Sequence, residues 1–517
     1  MTTPKISSGE MPSNSDDAAS SNSPDSPLPP DAVRRSGLRS LFSFPVMCMF
    51  LLAAVIFGFC ARQIAEPDMW WHLRDAAYLM QHHAFPSVDT YSTGAAGSPW
   101  LNHEWLSELP YYFAFRAAGL RGVLALYFVL LLLIYTGVYY LSLREGADCK
   151  DATVVTLLGI SLGVVSIGPR MLLFGWLCLV GLLLVLEHFR RTGKGIWLLP
   201  PLFALWINLH GSWVFGMVVL ALTVVSGLLE GEWGVVVARR WSPSELKKLL
   251  LAAGASLVAL LANPFGYRLV QYPFDLLFRQ QGNMQYIEEW QAVDLSMGNG
   301  KLVYIVIFGL LGAALLSRRQ WQLRDVLLAG FALWTGLAHA RLLFFIGLIL
   351  VPVLAPHLRL FPPYDRELDK PWLNAVIMAG VVCGILVFFP SPALLQQQVD
   401  QTFPRAALDF MRAERLNGRI FNQLFWGGYM EWYSPELKPF LDGRVDIFTY
   451  NGTLADHRRA TTVQAPLEVL DHYRFDYALL QPDRPLTYVL RNSPEWRIVY
   501  ADKVALLFER TAAVGAH

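Results

Sequence analysis

The chain reads as a mainly α, polytopic helical membrane protein with a small α/β domain on its extracytoplasmic side. Three observations carry that reading. Of its 517 residues 54% are hydrophobic and only 16% charged, with a mean hydropathy of +0.37, a composition that soluble domains do not reach. Apolar windows of spanning or near-spanning length recur up to about residue 390. Beyond residue 391 the windows stop, and short apolar runs alternate with stretches of helical period.

The formal net charge of +1 conceals an uneven distribution of charged residues. No basic cluster or nucleic-acid motif accompanies it, so nucleic acid is set aside as a partner. Cys48, Cys60, Cys149, Cys178 and Cys383 lie in or near the apolar windows without CxxC spacing, which argues against a disulfide framework or a zinc knuckle.

Residues 1–40 are rich in Ser, Pro, Asp and Asn and nearly lack aromatic residues, so they bury too little apolar surface to offset ordering entropy and are expected to form a disordered cytoplasmic tail. Arg34, Arg35 and Arg39 then precede an apolar run from Leu41 to Ala61. That run is too long for a signal peptide and lacks a small-residue cleavage site, so it is expected to be the first transmembrane helix. Further windows follow at 122–143, 152–167, 171–189, 195–208, 212–230, 246–262, 302–316, 324–338, 341–356 and 373–390. About eleven spans result, and residues 41–390 form the membrane domain. Alternate short loops hold the basic residues, among them Arg144, Arg190, Arg191, Arg239, Arg324 and Arg359. Those loops and the amino terminus belong inside, where they act as basic anchors. An odd number of spans then puts loops 62–121 and 263–301, and the carboxy-terminal domain 391–517, outside.

Nearly every unusual polar residue at a helix end falls on that outer side. They are Glu66 and Asp68, Gly168-Pro169-Arg170, Trp206 to Gly211, Asn263 to Tyr267, Glu288-Glu289-Trp290 and His339-Ala340-Arg341. If the chain after Pro67 is helical, Asp68, His72 and Asp75 share one face while Met69, Leu73, Ala76 and Met80 form an apolar stripe. The pattern predicts an amphipathic helix lying on the bilayer surface. An N-cap Asp on such an anchor is the plain alternative. Interfacial belts need tryptophan but no acidic pair, which favours function for Asp68; Glu66 is evenly balanced, and His72 and Asp75 read as a solvated face.

The loop continues through Phe85-Pro86, Asp89 and Ser92-Thr93 to Trp100-Leu101-Asn102-His103-Glu104-Trp105-Leu106. Together with Glu66-x-Asp68-x-Trp70-x-His72-Leu73, this loop resembles the first outer loop of bacterial membrane glycosyltransferases of the GT-C superfamily. Trp206-x-Asn208-x-His210-Gly211, Asn263-Pro264-x-Gly266-Tyr267-Arg268, Gly427-Gly428-Tyr429-x-x-Trp432 and Asp442-Gly443-Arg444-x-Asp446 extend the likeness over about residues 44–510. Glu66 departs from the more usual Asp but keeps the carboxylate.

The resemblance implies a multi-pass transferase of the bacterial cytoplasmic (inner) membrane. It would take a sugar from a polyprenyl-phosphate-linked donor and pass it to a glycan, lipid or protein acceptor of the cell envelope. Transfer with inversion needs a base for the acceptor proton and positive charge for the departing phosphate. On that basis Asp68 is assigned as base, Glu66 as its support or a metal ligand, and Arg170, His210 and Arg341 as phosphate contacts, with Trp71 and Glu104 also contacting substrate. Each has a plainer alternative: the arginines snorkel to headgroups, and His210 satisfies backbone at a tight turn. Asn263 to Tyr267 reads as a helix-terminating turn.

Glu66, Asp68, Asp89, Glu104, Glu108 and His103 are donors that magnesium or manganese accepts, but spacing does not establish convergence, and metal dependence stays open. In the tail, Ala406 to Leu416 and Pro466 to Tyr473 are expected helices, and Arg419 to Phe421, Tyr477 to Leu480 and Arg497 to Tyr500 expected strands. The Trp426 to Tyr429 and Asp442 to Asp446 turns either line an acceptor site or are structural. The rival reading is a non-enzymatic transporter, flippase or scaffold that binds an anionic lipid headgroup; internal symmetry between halves would favour transport, and none is visible.

Overall fold

The computed structural model describes residues 40–62, 64–279, 290–296, 298 and 300–511. The expected disordered tail, apart from Ser40, and Glu288 and Glu289 lie outside the described residues.

Each apolar window contains a helix, which satisfies the backbone hydrogen bonds of an apolar run within the segment itself. Among the described residues, three helices are long and apolar enough to cross a membrane: Trp105–Arg144, Leu172–Thr192 and Ala340–His357. Pro371–Val387 and Pro392–Asp400, bent by 61° at their junction, together qualify as a fourth. Phe44–Cys60, Ile196–Leu209, Trp213–Ser226 and Gly300–Leu316 are apolar but shorter. The longest helix is broken at Ala118 and Gly119, where φ/ψ leave the helical region. Its first part, residues 105–117, therefore belongs with the outer loop rather than with the span that follows.

At one end of the bundle the helix termini are tied by charge. Arg190 and Arg324 each reach Glu145 at 2.9 Å, and Arg324 also bonds Asp325 at 2.6 Å. Asp369 accepts from the backbone N–H of Phe44 and from Tyr364 Oη and Asn374 Nδ2. Arg190 and Arg324 are thus more than free basic anchors, since acidic residues packed between helix ends require counter-charge.

At the opposite end the outer loop meets the carboxy-terminal segment. That segment forms a four-stranded sheet in the order Ile420–Asn422, Tyr477–Leu480, Leu506–Arg510, Trp496–Ala501, the first pair parallel and the rest antiparallel. The helices Arg405–Ala413 and Pro466–His472 stand where the periodicity puts them. Trp71, Tyr91 and Trp100 of the outer loop share one apolar cluster with Phe421, Phe440 and Phe448 of the carboxy-terminal segment. Thr93 Oγ1 donates to the Pro439 carbonyl 346 residues further along, and Gly94 N to that of Phe440.

The helix Asp68–His82 overturns one expectation. Met69, Leu73 and Ala76 are buried, but so are His72 and Asp75, at 4% and 1% exposure. It is wedged between the membrane helices and the carboxy-terminal segment, with Trp70 edge-on to Tyr429 and Phe403. A helix covered by protein on both faces does not lie on a bilayer, and its polar face is not solvated.

Arg444 pins this assembly. Its side chain is 1% exposed and bonds Asp442 at 2.6 Å, Asp89 at 2.8 Å and Glu431 at 3.3 Å, while its guanidinium lies over Tyr91 and Trp100. Replacing Arg444 by Leu strands buried carboxylates, and removal of one partner of a buried pair costs about 3–5 kcal/mol. The R444L variant in detergent is expected to show a lower thermal midpoint and early proteolysis within residues 85–100.

Candidate active site

The outer turns named from the sequence converge. Arg170 Nε lies 2.9 Å from Glu66 Oε2. Ser166 Oγ donates to the Arg341 carbonyl at 2.9 Å, joining the turn before Arg170 to the one carrying Arg341. The Arg341 guanidinium lies over Trp290, 5.7 Å from the ring centre. Asp68 is the first residue of its helix, behind Pro67. Its Oδ1 accepts from the Trp71 indole at 3.4 Å, so the carboxylate is held by a side chain rather than spent as an N-cap.

Gly443 sits directly against Asp68. A Cβ there would collide with Asp68 Oδ1 and stand 3.0 Å from Trp71 Nε1, so only glycine lets this turn of the carboxy-terminal segment approach. Likewise a Cβ on Gly168 would meet Glu66 Oε2 at 2.8 Å.

Glu104 forms a second centre. Its Oε1 is 3.1 Å from His210 Nε2, its Oε2 3.4 Å from His72 Nε2, and His103 Nε2 is 3.7 Å away. His210 is placed by its own turn: Ser212 N donates to His210 Nδ1, Trp206 Nε1 to Ser212 Oγ, and Asn208 receives the Trp105 indole N–H. The plain reading of His210, satisfying backbone at a turn, is therefore correct for one ring nitrogen, while the other serves Glu104. Asn263 closes its turn through Leu260 and Gly266 carbonyls, as its Pro and Gly neighbours predict.

The two centres differ electrostatically. Burial, with the Glu66 carboxylate beside it, raises Asp68 to about 7, against the pull of Arg170, Arg341 and the Trp71 N–H. Burial alone would raise Glu104 too, but His103, His210 and the other nearby imidazole hold it well below the usual carboxylate range. Burial drives His72 down to about 3, so it is neutral.

Of the carboxylates read from the sequence as metal donors, Glu66 stands beside Asp68, but others are engaged elsewhere. Asp89 is taken by Arg444 and by the N–H groups of Tyr91 and Ser92, and Glu108 by His72 and Asn102. Among the described residues, no group of three or more His, Cys, Asp or Glu is arranged to hold a metal ion. One contributor, Tyr272, escaped the sequence reading. Tyr272 donates to Asp446 at 3.0 Å and stacks on His103 at 4.3 Å between ring centres. The Asp-Gly-Arg-x-Asp motif was the available signal, but it did not reveal which loop it faces.

No family profile matches the chain, and no curated protein matches its sequence. Solved structures do resemble it. The oligosaccharyltransferase of Archaeoglobus fulgidus, tethered to an acceptor peptide containing the NVT sequon, superposes with a TM-score of 0.50 at 13% identity, over 84% of this chain and 68% of that one. ArnT from Cupriavidus metallidurans, bound to undecaprenyl phosphate, gives 0.49 at 13% identity over 91% and 99%. The chain thus shares the overall fold of the Archaeoglobus fulgidus protein.

The raised Asp68 pKa has a consequence for stability. The native carboxyl holds its proton to about 7, whereas the unfolded one releases it near ~3.9. The native state binds more protons between those values, so stability falls as pH rises through that window. Asp68→Asn removes the cost of ionisation, and its unfolding midpoint relative to wild type is expected to be higher at pH 8 than at pH 5.

Proposed function

We propose that the protein is a GT-C glycosyltransferase that moves a hexosyl or pentosyl group from a polyprenyl-phosphate donor to a cell-envelope acceptor. It works at the outer face of the bacterial cytoplasmic membrane, with eleven crossings, the amino terminus inside and residues 391–517 outside. The observation that carries the reading is Asp68. It is a carboxylate that titrates near neutrality, with Arg170 and Arg341 close enough to act on it, where the polar helix ends meet.

Asp68 accepts the proton of the acceptor hydroxyl as its oxygen bonds to the anomeric carbon. The bond from that carbon to the phosphate oxygen breaks, and the polyprenyl phosphate leaves carrying the electron pair. Arg341 and Arg170 meet the charge on the departing phosphate through guanidinium forks suited to two oxygens. Glu66 supports the base in two ways: its charge keeps Asp68 basic, and its ion pair fixes Arg170. Trp71 holds the Asp68 carboxylate and offers a ring at the site. Glu104 and His210 bind substrate on the neighbouring side, where His103 and Tyr272 add aromatic surface.

The test incubates purified protein with radiolabelled polyprenyl-phosphate sugars and a cell-envelope extract. Wild type is expected to transfer label, and Asp68→Asn to do so about 10²–10⁴-fold more slowly, the range for loss of a general base. A folded Asp68→Asn that matches wild type overturns the assignment of the base. Headgroup binding without transfer by wild type favours the transporter or scaffold.

A further inference from the structure

Asp68 and His72 stand one turn apart on the same helical face of Asp68–His82. Both His72 ring nitrogens face carboxylates, and the shorter contact is a hydrogen bond. Nδ1 lies 2.9 Å from Glu108 Oε1, and Nε2 lies 3.4 Å from Glu104 Oε2. The proton pattern follows from the partners. His210 Nδ1 accepts the Ser212 backbone N–H, so neutral His210 carries its proton on Nε2 and donates to Glu104 Oε1. The charge of an anionic Glu104, with its other oxygen 3.4 Å from His72 Nε2, favours the His72 proton on Nε2. That leaves His72 Nδ1 as a lone pair facing a Glu108 carboxyl 1% exposed. Two acceptors do not bond, so one proton must lie between them.

From this geometry we infer that Glu108 is protonated and donates to His72 Nδ1, and that this uncharged pair is the positioning element that sets Asp68 for transfer. The link to Asp68 runs through the neighbouring ring. The His72 and Trp71 rings lie 3.5 Å apart between centres, and the Trp71 indole donates to Asp68. Asn102 completes the bridge, giving its amide N–H to Glu108 Oε2 at 2.8 Å and taking the Glu104 backbone N–H on its oxygen. The bridge thereby binds the Asp68 helix to the start of Trp105–Arg144. Neutrality also matters for the base: a cationic imidazole one turn away would draw the Asp68 pKa down and weaken it. The other groups around the pair are His103, His210, Asp75 and Arg444, and burial of the imidazole itself favours the uncharged ring.

Glutamine at 108 separates this arrangement from an ordinary ion pair. Its amide N–H can donate to His72 Nδ1 while its oxygen accepts from Asn102, which reproduces the protonated acid. Were Glu108 a carboxylate accepting from an imidazolium, the same amide would face two donors with one oxygen. The activity arm rests on the proposed transfer; an infrared arm does not. E108Q is expected to keep kcat within about threefold and to leave the acid limb of the pH profile in place. E108A should lose about 10²-fold in kcat, the scale of a misplacement near 1 Å, with KM little changed. H72Q, which keeps a donor and an acceptor, should fall between them. In the infrared difference spectrum of wild type minus E108Q, the carbonyl band of a protonated carboxylic acid should appear. E108Q as damaging as E108A, or no such band, overturns the inference, and if E108A does not fold, E108Q, H72Q and the band still decide it. Wild type without transfer but with the band overturns the transferase reading and leaves the proton pairing standing.

Discussion

A guanidinium buried at Arg444 is the constraint on which the outer half of the molecule depends. Its charge needs Asp89 from the outer loop, Glu431 from the helix Gly427–Tyr433 and Asp442 from its own turn. None of these can leave without stranding an ion away from water, and the aromatic faces of Tyr91 and Trp100 close over what remains. Because the preceding residue is Gly443, the same clasp brings bare backbone against Asp68. The site is thus shaped by an interaction that need not touch substrate.

Within that frame, two carboxylates of one loop are driven apart in acidity. Asp68, half-buried beside Glu66, is raised towards neutrality, while Glu104, surrounded by imidazoles, is lowered. Neighbouring groups of the same chemical type thereby gain different protonation states at one pH, an arrangement found where one must exchange a proton and the other must stay charged. The arginines divide similarly. Arg170 is engaged by Glu66, whereas Arg341 is braced through its backbone by Ser166 and rests on Trp290.

Elements set by local periodicity were legible in the sequence. The apolar windows became helices, and the runs at 419–421, 477–480 and 497–500 became strands within a residue or two, because period and β-branched content act locally. Alternation of basic loops grouped Arg170, His210 and Arg341, and the structure brings the two arginines near Asp68 and His210 onto Glu104. What that reasoning missed was the destination of a face. Asp68, His72 and Asp75 do share one side of their helix, but polarity suggested water, and their surroundings come instead from residues near 104–108 and 431–446. Periodicity states which residues look the same way and is silent about what they see. The Asp-Gly-Arg-x-Asp turn was visible as a motif, yet its partner lies hundreds of positions earlier.

That separation in sequence bears on how the protein comes into being. The outer loop emerges early during synthesis, and its Thr93 and Gly94 wait for partners at Pro439 and Phe440. Contacts so distant along the chain form late, since the loop they close is nearly the whole membrane domain. A ribosome-bound intermediate therefore has its first helix, its acidic loop, Arg170 and Arg341 before it has the turn that completes their geometry. The surroundings of Asp68 are complete only once the residues near 439–446 have been made and have packed against that loop.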